Sequence, residues 1–168
     1  MRRLPRLGVS LVLGLAMLIG ATAQGGARAD ETVPDAMRPL STDDNTYVPA
    51  LGDLMGAIQL RHFKLWYSGK MKNWPLAAYE LNQVENSFRD AARLYRHIPL
   101  ENIVMISAPL EALGAAITAR DEARFASAFS TLTTTCNTCH RAAGVGFIQV
   151  QIPTASPFSN QVFTPAPR

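Results

Sequence analysis

The chain has two cysteines and three histidines in 168 residues, and charged side chains make up 17% of it. With a single cysteine pair, Cys136 and Cys139, a structural zinc site would need further ligands from among His62, His97 and His140, and only His140 is close by in sequence. That argues against a four-ligand zinc centre. The sequence also lacks a serine-nucleophile constellation, a glycine-rich phosphate loop and a pair of carboxylates at an active-site spacing. Hydrolytic and nucleotide chemistry therefore have no visible residues, and no catalytic residues are expected. There is no repeat at a fixed period, and apart from one run near the N-terminus no segment is apolar enough to span a membrane.

That run is Gly8 to Ala21, GVSLVLGLAMLIGA, preceded by Arg2, Arg3 and Arg6 and followed by small residues. A positive start, a short apolar stretch and an A-x-A sequence read as a secretory signal peptide. Cleavage fits after Ala23 or after Ala29, and the second is preferred, which makes 1–29 the signal and predicts a periplasmic protein. Those residues carry four arginines (Arg2, Arg3, Arg6, Arg28) and no acids, so removing them lowers Lys+Arg from 16 to 12 against 13 Asp+Glu. The formal +3 of the whole chain thus belongs to the signal, and nothing in the remainder points to nucleic acid or an anionic membrane surface.

Residues 30–48, with Pro34, Pro39 and the polar STDDN run, have no periodicity and read as a flexible lead-in. From Pro49, a good first-turn residue, Leu51, Leu54, Met55, Ile58, His62, Leu65 and Trp66 recur at helical steps until Gly69 offers a stop. A second helix opens at the cap Asn73 and carries the stripe Ala77, Leu81, Val84, Phe88, Ala91 and Tyr95, with Pro99 beyond it. A third includes Ile103 to Ile106 and Leu110 to Arg120, with Pro109 starting or kinking part of it. Asp121 caps a fourth, whose stripe is Phe125, Ala128, Phe129, Leu132, Thr135, Cys136 and Cys139, and Gly144 and Gly146 end it. Four helices with short links predict an all-α, antiparallel four-helix bundle over 49–144, with an irregular, extended tail over 145–168. Trp66, Tyr67 and Trp74 are expected to close one end of it.

The fourth helix ends in Cys136-Asn137-Thr138-Cys139-His140. Cysteines three residues apart share a helix face, so both sulfurs can reach the two vinyl groups of one haem, and the next residue, His140, can turn its imidazole to the iron. A thioredoxin-like dithiol would want a βαβ setting, which is absent, and a plain disulfide gives His140 no role. The motif therefore points to one covalent haem c.

Export signal, four-helix pattern and CNTCH at the end of the last helix resemble the cytochrome c′ class of bacterial periplasmic cytochromes. The resemblance covers about Pro49 to Gly144 and, outside CNTCH, is one of architecture. It implies that Cys136 and Cys139 attach the haem, that His140 is the proximal ligand, and that the first helix faces the opposite side of the ring. The chain departs from the class in the 28 residues after His140, where Ile148, Val150 and Ile152 alternate with polar neighbours and Phe158 and Phe163 stand among Pro, Ser and Thr. This tail is expected either to fold back and shield the haem edge or bundle end, or to hang free.

The sixth iron ligand decides the activity: a Met sulfur suits electron transfer, whereas an apolar residue leaves the iron open to small gases. Met55 lies on the inward face of the first helix near the CNTCH end, His62 two turns on, and Met71 and Met105 are expected at the other end. Met is also a common core filler, and an inward His a common hydrogen-bonded core residue, so the ligand stays open between Met55, His62 and neither. Arg61, Lys64 and Arg141 are candidate partners for haem propionates, and His97 reads as a helix C-terminal residue. The reading is a monohaem electron carrier between periplasmic redox proteins. Its alternatives are a five-coordinate protein binding nitric oxide or carbon monoxide and, more remotely, a peroxidase using His62 and Arg61. A homodimer through a two-helix contact is compatible with such a bundle.

Overall fold

A computed structural model describes residues 47–95, 98 and 100–166. The expected signal peptide, nearly all of the lead-in and His97 lie outside the described residues. Four α-helices follow one another: α1 (Leu51–Lys70), α2 (Trp74–Leu94), α3 (Leu100–Ala119) and α4 (Glu122–Ala142), and no strand occurs among the described residues. α1 packs mainly on α2 and α3 on α4, while α2 with α3 and α1 with α4 close the ring. The result is the antiparallel bundle that the short links demanded.

Local chemistry sets most helix ends. The Asn73 side chain accepts from Leu76 N at 3.3 Å and Asp121 from Arg124 N at 3.0 Å, each satisfying a first-turn donor. The C-terminal ends of α1, α3 and α4 reverse through Lys72 (φ 57°), Arg120 (φ 54°) and Gly144 (φ 76°). At each, paired bonds close the turn, as in Asn73 N to Ser68 O (2.8 Å) with Lys72 N to Gly69 O (3.0 Å). Only the third reversal uses glycine. Gly69 does not stop α1, which runs on to Lys70, and Pro49 precedes the helix, its carbonyl accepting from the Tyr95 hydroxyl at 2.6 Å. α3 runs unbroken through the buried Pro109.

The core is built from the expected stripes: Leu65, Val84, Leu113, Phe129 and Leu132 are almost fully buried. Each such side chain contributes about 1.5–3 kcal/mol. At the α1–α2 turn end, Trp66 packs on Phe129 (ring centroids 4.8 Å) and Trp74 meets Phe125 edge-on (6.1 Å). Tyr67 instead turns to the tail and packs on Phe163 at 5.7 Å. A charge is also buried between α1 and α2: Glu80, 1% exposed, is held by Arg61 Nη1 at 3.1 Å.

The tail folds back. After Gly144 it passes the C-terminal turns of α4 and then packs on α1, with Phe158 edge-on to Phe63 (6.4 Å) and Phe163 buried. Asn73 Nδ2 donates to Thr164 O at 3.2 Å, so the tail reaches the end of the bundle opposite its origin.

Gly69 supplies a test of this packing. A Cβ at that position would collide with the edge of the Phe125 ring, which Trp66, Trp74 and Phe129 hold in place. Gly69→Ala gains up to about 1 kcal/mol in helix propensity but incurs overpacking of about 1–3 kcal/mol. The variant is expected to melt below the wild type by circular dichroism, whereas a glycine serving only as a helix stop would give no such loss.

Candidate functional site

Because neighbouring helices run opposite ways, the start of α1, the end of α2, the start of α3 and the end of α4 meet at one end of the bundle. There they line an open cleft with about 1310 Å³ of space between its walls, mouth included. Met55 and His62 come from α1, Ala91 from α2, Asn102 and Ile106 from α3, and Cys136, Cys139 and His140 from α4. The start of the tail completes the wall with Val145, Ile148 and Val150.

α4 carries a run of β-branched residues, Thr133 to Thr135, just before the motif. Their hydroxyls donate to the carbonyls one turn back, at 2.9–3.0 Å, which keeps them compatible with the helix. The helix thus continues through Cys136, Cys139 and His140, and both sulfurs and the imidazole border the same cleft. Burial, aided by the neighbouring Cys139, pushes the Cys136 thiol up to about 11, and burial raises Cys139 too. Both are therefore neutral thiols at pH 7. A redox dithiol needs the opposite shift, since the thiolate is the nucleophile.

His140 Nδ1 lies 2.8 Å from Ile148 O. A carbonyl only accepts, so Nδ1 carries the proton and donates, and Nε2 keeps the lone pair that a metal would use. His62 is held differently. The Thr133 hydroxyl donates to Phe129 O at 2.9 Å, so its oxygen accepts from His62 Nε2 at 2.9 Å. The ring packs on Phe129 at 4.3 Å, and burial lowers the His62 pKa from 6.5 to about 4. His62 is a neutral, hydrogen-bonded core residue that borders the cleft.

The other sequence candidates divide. Met55 lines the cleft, partly buried against the core. Arg61 is absent from the lining, and its Nη1 pairs with Glu80 at 3.1 Å. Arg141 also lies outside the lining, and its Nη2 donates to Thr138 Oγ1 at 2.9 Å. Lys64 sits over the Phe158 ring at 5.4 Å. Met71 is at the far end as expected, but Met105 is beside Ile106 at the cleft end, exposed.

Two residues escaped the sequence reading. Asn102 is 6% exposed on the cleft wall, and its Nδ2 is buried with no hydrogen-bond partner among the described residues. Its signal was a single polar residue four positions before Ile106 on an inward face. Asn137, in the CNTCH spacer, bonds the Val150 backbone in both directions at 2.8 Å. No sequence pattern marks it, because its partner is main chain.

Compared with known protein families, curated proteins and solved structures, the chain matches none. The geometry therefore has to carry the functional reading unaided.

His62 gives a pH test of the packing. Its folded pKa of about 4 lies below the unfolded 6.5, so the unfolded chain takes up the proton first. The stability that neutral His62 contributes is complete above pH 6.5 and declines as pH falls from 6.5 to 4. The loss is on the order of 3 kcal/mol at most, at about 1.4 kcal/mol per unit. Urea melts at pH 7 and pH 4.5 are expected to show this drop in the wild type and a smaller one in His62→Gln.

Proposed function

We propose that the cleft holds one covalently attached haem c and that the protein is a periplasmic electron carrier. The observation that carries this reading is the His140 Nδ1–Ile148 O hydrogen bond within a cleft that also receives Cys136 and Cys139. It fixes the tautomer and ring orientation that a proximal ligand requires and raises the basicity of Nε2. Two thiols on the same wall suit thioether attachment, and the mostly apolar lining suits a porphyrin face. Asn102 adds a fit from the polar side: its buried, unpartnered Nδ2 is a donor for an acceptor oxygen at the edge of a bound ring.

When bound, the haem supplies a one-electron Fe(III)/Fe(II) couple. The chain's own residues hold it and tune it. Cys136 and Cys139 would tether the ring, and His140 would hold the metal through Nε2. Met55, on α1 and bordering the same cleft, would supply a thioether sulfur to the metal. The apolar walls limit water and favour the less charged, reduced centre. A peroxidase reading loses support, because Arg61 is tied to Glu80 and the Nε2 of His62 to Thr133. Periplasmic location and protein redox partners follow from the N-terminal sequence and from the carrier role. No helix among the described residues is long and apolar enough to cross a membrane.

One observation favours a second reading. Gly52 and Gly56 flank Met55 along α1, and a Cβ at either would meet nothing within 4 Å. That open wall leaves room for nitric oxide or carbon monoxide beside the Met55 thioether.

Spectra separate the two. Expressed with cytochrome c maturation, the protein is expected to keep its haem in a denaturing gel and to show a ferric His–Met charge-transfer band. Its reduced form is expected not to bind carbon monoxide. Met55→Ala should lose the band, become high-spin and bind the gas. A high-spin wild type that binds carbon monoxide rapidly overturns the carrier and leaves the gas protein, whereas a chain that takes up no covalent haem overturns both.

A further inference from the structure

Beyond CNTCH the chain does not trail off but returns to the motif. Val145 N donates to His140 O at 2.9 Å, Ile148 N to Val145 O at 2.9 Å, and Ile148 O receives the His140 ring proton. These contacts alone leave the segment hinged at Gly144, whose positive φ makes the turn. A second attachment prevents it from swinging away. Asn137 Nδ2 donates to Val150 O and Asn137 Oδ1 accepts from Val150 N, both at 2.8 Å and partly buried. The primary amide thus acts as a short piece of backbone, pairing with Val150 as a neighbouring strand would. It grips the chain two residues past the carbonyl that orients His140.

We propose that Asn137 is a positioning residue: it clamps residues 145–150 as a strap behind the histidine, so that the spacer of the motif sets the orientation of the motif's own ligand. The inference rests on the reading of His140 as an iron ligand and deepens it. Exposure argues for a specific clamp over general burial. Phe147 is 82% exposed and Ile148 44%, so apolar packing holds the strap only weakly at the point where its carbonyl does its work. Val145, 6% exposed, anchors one side of that point, and the Asn137 clamp the other. A histidine whose ring proton loses a fixed acceptor is free to rotate, and such outer partners typically count 10–100-fold in metal affinity or activity.

The test compares Asn137→Ala with Thr138→Ala, which alters the other spacer residue, whose hydroxyl bonds only within α4. Two quantities are read on the full chain: solvent exchange of the His140 ring N–H by NMR in the haem-loaded protein, and protease cleavage within 145–152 in the haem-free protein. Asn137→Ala is expected to raise both by at least tenfold and Thr138→Ala to leave both within twofold. Asn137→Asp, which keeps the acceptor for Val150 N and loses the donor, should fall between them. A chain ending at Gly146 should match Asn137→Ala in ring exchange, and adding Asn137→Ala to it should change nothing further. Unchanged exchange in Asn137→Ala, or a further change on the shortened chain, overturns the proposal. Failure of the wild type to attach haem overturns the haem reading alone, whereas equal cleavage of wild type and Asn137→Ala overturns the strap.

Discussion

Three tight reversals, through Lys72, Arg120 and Gly144, govern the rest of the structure. Each leaves its helix so abruptly that the next segment must run back along the one before it. Two of these reversals put a non-glycine residue in the left-handed region, a cost on the order of 1–2 kcal/mol each that the paired backbone bonds and the packing behind them offset. Antiparallel order then follows within the pairs α1–α2 and α3–α4, and the tail turns back along α4. The bundle has four helix ends at one pole and four at the other.

The two poles are built from different chemistry. At the α1–α2 turn, Trp66, Trp74, Phe125 and Phe129 interlock, and Gly69 is glycine because the Phe125 ring occupies the space beside it. At the opposite pole the side chains stop short of filling the space, leaving an apolar cleft bordered by two thiols, two histidines and Asn102, whose Nδ2 has no partner among the described residues. A buried donor without an acceptor costs roughly 1–3 kcal/mol. The Asn102 donor lies in the same cleft as the motif, whereas the other such atom among the described residues belongs to Tyr67, which packs on the tail.

The tail links the poles. It begins as the cleft wall behind His140, crosses the bundle, and ends on Asn73 and against Tyr67. The ring contacts of Phe158 and Phe163 anchor its distal half and the Asn137–Val150 pair its proximal half. Of the two outcomes the sequence left open for this segment, the folded-back one holds, although its route along α1 shields the side of the bundle as much as the cleft.

The four helices, the caps Asn73 and Asp121 and the shared face of Cys136 and Cys139, with His140 next along the helix, were legible in the sequence. Each is a local matter of spacing or of a side chain bonding a few residues away. Where the decisive partner is distant, the sequence was silent or misleading. Arg61 went to Glu80, Gly69 answered to Phe125, Asn102 emerged as an unpartnered donor, and the acceptor for His140 proved to be a main-chain carbonyl in the tail. A backbone carbonyl has no signature in the amino-acid alphabet. Sequence alone therefore determined which residues form the motif and on which element it rides; only tertiary structure decided which way the histidine faces, because that depends on where the chain returns.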